Sequence, residues 1–492
     1  MAAEPPSSVI DWLSDSVAQP QQAAAPPLDV GSDIATNASP GDISVTTLDA
    51  AMPEAIGVFA PAEAGLPDDL WRASHGDDIA ARLPQLSQLR LPALRERLIG
   101  MLLVRAAPAA GDADAFLTAR VDRLLAMGAL PEAEALLRAS GPETPEHFRR
   151  YFDVALLLGT ENEACRLLRS KPDIAPTYPT RIFCLARGGD WAAAAVTLES
   201  AETLGILSPA EDMLLARFLD PDITEAAPDP ALLRALTPLT FRMLDAIGEP
   251  VATGALPIAF AHAELTPNRG WKAQIDAAEE LARAGAIAPD ILFDAYRQRR
   301  PSASGGVWER ARAIQELDAA LARGNRRKLA AAVTTAWDEL SEAGLTWALA
   351  RAYGPRLAAA GLPGPAGSRA EDLGLMSPDF AEVGQAMRPR TPQRGFLAAL
   401  ASGDPALAPA YDMRSIAIRA GFLGRPLPGP LEQLLDDGRT GEAMLTALAL
   451  FAQGAEGDPD RISDAIGLLS ALGAERIARQ AALELLLSPQ RP

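Results

Sequence analysis

The chain is expected to be all-α, an α-solenoid of stacked helical hairpins behind a disordered N-terminal tail. Three observations predict this. Hydrophobic residues make up 48% of the 492 positions but aromatics only 5%, because much of the apolar content is alanine. Alanine enters a helix at no side-chain entropy cost, so such a composition favours helices over strands. Apolar residues also recur three and four apart along most of the chain, and glycines punctuate these runs. At 492 residues the chain is too long for one compact core, so it must split into domains or extend as an array.

Residues 1–66 are rich in Pro, Ala, Ser and Asp, with little apolar periodicity. They offer too little burial to offset chain entropy and read as a tail. Within it, Val9, Ile10, Trp12 and Leu13 form an apolar island. Two readings stand for it: a docking motif that folds on a partner or back onto the array, or a chance cluster. From Leu66 onward, helices are predicted over Leu91–Val104, Ala113–Met127, Pro145–Leu158 and Trp271–Ala284, among others. Ser208-Pro209-Ala210-Glu211 has the form of a capping box, and Gly128 and Gly285 stand as helix stops. Breaks at Asp220–Pro230 and Gly361–Ser368 divide the array into 67–222, 223–362 and 363–492, the middle one irregular.

A pattern recurs around Gly128, Gly159, Gly189, Gly438 and Gly473. Seven before each is apolar (Val121, Phe152, Ile182, Leu431, Ile466), as is four before (Leu124, Ala155, Leu185, Leu434, Leu469). Five after is always alanine: Ala133, Ala164, Ala194, Ala443 and Ala478. Nine after come Leu137, Leu168, Leu198, Ala447 and Ala482. The first two positions lie one turn apart on one helix and the last two on the next. Glycine ends the first helix, and the alanine allows close approach of the second. Gly189-Asp190-Trp191-Ala192-Ala193-Ala194 and Gly159-Thr160-Glu161-Asn162-Glu163-Ala164 resemble the turn and second-helix start of tetratricopeptide (TPR) repeats. Pro145 and Pro176 stand where that family places its closing proline, although the later repeats lack it. The resemblance implies a divergent TPR-like protein that binds other proteins or peptides.

Charge narrows the partners. Lys plus Arg is 45 against 64 Asp plus Glu, giving a net charge of −19 and a pI near 4.7. Only Lys171, Lys272 and Lys328 are lysines, an arginine bias of the kind GC-rich bacterial genomes produce. The short basic runs at Arg297–Arg300 and Arg326–Lys328 are too small for a phosphate-tracking surface, so no nucleic acid is expected. The N-terminus has no basic start and no apolar run of seven, and no stretch reaches a membrane-spanning length. The expectation is no integral membrane segment and a cytoplasmic location, or a periplasmic one if the start is misassigned.

Catalytic and metal chemistry finds little material, and no cofactor is expected. His75 reads as a loop residue, His147 as an exposed first-turn residue, and His262 as a satisfied core histidine. Cys165 and Cys184 are 19 apart and fall on helices that pack as neighbours, either as two buried thiols or as a disulfide. Phosphate-loop, Ser-x-x-Lys and nucleophile-elbow patterns are missing. Ser302–Gly306 reads as the cap of a helix starting at Val307. Trp71, Trp191, Trp271, Trp308, Trp337 and Trp347 line either a groove or the core. The expected function is a non-catalytic scaffold or adaptor for a protein or peptide. The rival is a helical-superhelix enzyme or accessory factor acting on cell-wall glycan, which would need two converging carboxylates.

Overall fold

The structure, a computed structural model, describes residues 55–86, 89–220, 222–223 and 236–488. Among these the chain is all-helical, with only two isolated bridges, Phe59 to Val104 and His75 to Ala110. In order the helices are α1 (Gly76–Arg82), α2 (Pro92–Leu103), α3 (Ala113–Ala126), α4 (Leu130–Ser140), α5 (Pro145–Leu158) and α6 (Glu161–Ser170). Next come α7 (Tyr178–Arg187), α8 (Trp191–Thr203), α9 (Pro209–Leu219), α10 (Pro238–Ala246), α11 (Trp271–Arg283) and α12 (Pro289–Arg297). They are followed by α13 (Val307–Arg323), α14 (Arg326–Glu342), α15 (Thr346–Ala359), α16 (Gly364–Leu375), α17 (Phe380–Ala386) and α18 (Pro392–Ser402). The last five are α19 (Met413–Phe422), α20 (Gly429–Asp436), α21 (Thr440–Ala455), α22 (Pro459–Ala471) and α23 (Glu475–Leu487).

Local chemistry sets the ends of these elements. Ser208 Oγ accepts from the Glu211 N–H, and the Glu211 carboxylate accepts from the Ser208 N–H, closing the capping box with Pro209 at the first helical position. Gly128, Gly159, Gly189, Gly438 and Gly473 all lie at bends between helices with φ between 67° and 84°, a region other residues enter only with strain. The five alanines that follow them are completely buried. Successive helices pack in pairs, α5 on α6, α7 on α8, α21 on α22 and α22 on α23.

Two expected boundaries move. Residues 55–66, assigned to the tail, include a 3-10 turn at Pro61–Ala64. Arg120 donates to the Ile56 carbonyl at 2.9 Å and the Val58 N–H donates to Leu103 at 2.7 Å, while Leu66 is buried. Backbone carbonyls claimed by a buried arginine hold this stretch where its own apolar pattern is too sparse to announce it. The break expected over Gly361–Ser368 shrinks, because α16 already begins at Gly364 with Pro365 in its first turn, where a missing N–H costs nothing.

The apolar interior forms two clusters. One spans residues 261–376; the other joins the N-terminal helices to the C-terminal ones. The junction is α2, whose Leu94, Leu98, Met101 and Leu102 are all fully buried. Helix α2 packs on α3 and α4 from its own end of the chain and on α21 and α23 from the other. Its Glu96 pairs with Arg351 of α15 at 2.9 Å, and Arg95 donates to the carbonyls of Met127 and Gly285.

Candidate functional site

The residues with reactive side chains are placed for structure. His262 is buried and its Nε2–H donates to the Gly128 carbonyl at 2.8 Å, while burial pulls its pKa down to about 4. His147 is buried too, correcting its reading as an exposed residue. The first turn of α5 lies against α3 and sets its Nε2 3.5 Å from Thr118 Oγ1. His75 is the residue before α1 and is exposed, as a loop position should be. Cys165 of α6 and Cys184 of α7 form a buried disulfide with Cα atoms 5.0 Å apart. Among the described residues, no group of three or more His, Cys, Asp or Glu side chains stands close enough to hold a metal.

Titratable groups concentrate where the first and last described helices meet. The Gly441 N–H donates to the Leu70 carbonyl at 2.9 Å. The fully buried Glu442 takes Arg82 at 3.1 Å and Arg439 at 2.7 Å, and Arg439 also reaches Asp78 at 3.2 Å. Glu484 of α23 accepts the Ala93 N–H at 3.0 Å, capping α2 from across the chain. Burial drives the Glu484 carboxyl up to about 8, opposed by that N–H and increased by Glu96. Asp153 of α5 is raised to about 6 by burial, against Arg149 and Arg150. The Arg439–Asp78 pair lines a recess together with Ala73, His75 and Asp437.

A second groove, about 600 Å³, lies over α4, α5 and α6. Arg138 crosses it, donating to Glu134 at 2.9 Å and Glu163 at 2.6 Å with its guanidinium 5.9 Å from the Tyr151 ring. The tryptophans divide between the two readings. Trp71 is core, Trp191 is exposed, and Trp271, Trp308, Trp337 and Trp347 are half-buried. Trp271 and Trp308 touch with ring centroids 4.8 Å apart, and Trp347 donates to the Ala282 carbonyl.

An open apolar stripe lies on α19. Met413 and Ile416 of this helix and Leu423 just past its end are each more than half exposed. They fall at i, i+3 and i+10 and so share one face. The opposite face supplies Ala417, Ile418 and Gly421 to the packing against α22. Leu407, 80% exposed, stands beside the stripe on a 3-10 turn that Arg419 of α19 holds through the Ala406 carbonyl at 3.5 Å. In sequence this stripe has the same spacing as a core stripe, so its exposure is not legible there. The docking residues that the sequence singles out, Val9, Ile10, Trp12 and Leu13, lie outside the described residues. No helix among those described is long and apolar enough to cross a membrane. No protein-family profile, curated protein or solved structure matches the chain.

Proposed function

We propose that this protein is a non-catalytic scaffold, a TPR-like array of stacked helical hairpins that holds a protein or peptide partner. The observation that carries the reading is the outward apolar stripe of Met413, Ile416 and Leu423 with Leu407 beside it. A contiguous exposed apolar face is costly to leave in water and marks a binding surface when it recurs at helical spacing. The hairpin geometry supports the reading: left-handed glycines at the bends and buried alanines five residues on. The Val9–Leu13 motif is the second docking element. The rival, glycan cleavage, needs two carboxyls converging in a cleft. Glu202 and Asp212 do share a hydrogen bond that raises Glu202, but Glu202 is fully exposed, away from both grooves.

Affinity capture with wild type, Trp12→Ala and Ile416→Asp, read by mass spectrometry, tests the proposal. The expected result is a protein recovered by wild type, depleted at least tenfold by Ile416→Asp and changed in recovery by Trp12→Ala. Identical sets of captured proteins from all three overturn it.

A further inference from the structure

We infer that the α19 stripe is the seat for the chain's own Val9–Leu13 segment, so that the free protein covers its binding face with its own N-terminus. The inference rests on reading that segment as a docking motif. Chemistry of the two surfaces points to this occupant. The stripe offers Met413, Ile416, Leu423 and Leu407, and a flat strip of this kind is covered by a short apolar segment with a large anchor such as Trp12.

Charge selects the same pairing. Residues 1–54 carry eight acidic side chains, Asp11 and Asp15 among them, and no Lys, Arg or His. Helix α19 carries Arg414 and Arg419 and no acid beyond its cap residue Asp412, whose carboxylate is engaged by the Ser415 N–H. Arg419, on the edge of the stripe, is half-exposed and gives one bond to a backbone carbonyl. A carboxylate beside Trp12 matches that cation.

Reach permits it. Leu13 and Ala55 are 42 positions apart. A chain of that length spans about 35 Å as a coil and several times that when extended. Residues 56–59 sit on α2 and α3, and the packed path from α2 through α21 and α22 to α19 crosses three helix–helix contacts. At 8–10 Å each, that path is about 30 Å. A tethered segment also meets its site at a millimolar effective concentration, so even a weak contact is populated.

Hydrogen–deuterium exchange on the full chain tests the seat, with thermal melts showing that each variant is folded. The expected result is slowed exchange at residues 8–14 in wild type, independent of protein concentration. Trp12→Ala and Ile416→Asp should each speed exchange there at least tenfold, and Trp191→Ala, at an exposed tryptophan elsewhere, should not. Unprotected exchange at 8–14 in wild type overturns the inference, as does protection that survives Ile416→Asp. Protection that grows with concentration also overturns it and assigns the stripe to a second copy of the chain. Because this readout involves no partner, its failure leaves the capture result standing, and loss of capture leaves the exchange result standing.

Discussion

Glu484 carries a carboxyl into the interior with the Ala93 N–H as its close donor and Glu96 adding repulsion. Its pKa in the folded protein, about 8, lies above the ordinary value of 4.5, so the protonated form is the one the fold prefers. That contribution to stability is full below about pH 4.5 and is lost as pH climbs through 8. Glu484→Gln keeps the shape and an acceptor oxygen for Ala93 while removing the charge. It should stabilise the protein by on the order of 1–3 kcal/mol at pH 9 and by little at pH 5. Thermal melts of the two proteins across that range decide it, and parallel pH profiles would refute it. His262 acts in the other direction, since its lowered pKa makes stability fall as pH drops from 6.5 through about 4. Sequence showed little of this: Glu484 sits in an Ala-Leu-Glu-Leu-Leu-Leu run, but so would an exposed acid on the outer edge of that helix.

Elements were the most legible scale. The predicted helices at 91–104, 113–127, 145–158 and 271–284 are found as Pro92–Leu103, Ala113–Ala126, Pro145–Leu158 and Trp271–Arg283. Caps, first-turn prolines and left-handed glycines are local devices, so the residues that end a helix can be read beside it. Close approaches between helices cannot be read that way. Gly441, in the first turn of α21, lies against Trp71, and a Cβ there would fall 2.4 Å from the indole and 2.7 Å from the Leu70 carbonyl. Gly441→Ala should therefore cost on the order of 1–3 kcal/mol, although alanine is the better helix former. Gly395, inside α18 with nothing within 4 Å, is the control: Gly395→Ala should gain up to about 1 kcal/mol. Chemical denaturation of both checks the pair, and a stabilised Gly441→Ala would show that the seam gives way freely.

At the scale of the whole molecule, the first and last described helices pack together around α2, and the disulfide between Cys165 and Cys184 ties one hairpin beyond it. The loop this bond closes spans 19 positions. Replacing both cysteines with serine should lower stability by about 3 kcal/mol, measured by denaturation under non-reducing conditions; reductant should then have no further effect on the variant. Spacing placed the two cysteines on neighbouring helices and favoured two buried thiols, where the structure has the disulfide. The sequence by itself determined the helical class, the hairpin bends and most helix ends, because hydrogen-bond capping and backbone sterics act within a few residues. Tertiary structure alone decided that the first and last described helices share a core, that Glu442 and Glu484 lie inside it, and that the α19 stripe faces outward. An apolar residue at every third or fourth position looks the same whether it meets a neighbouring helix or water, and only the arrival of distant parts of the chain distinguishes the two.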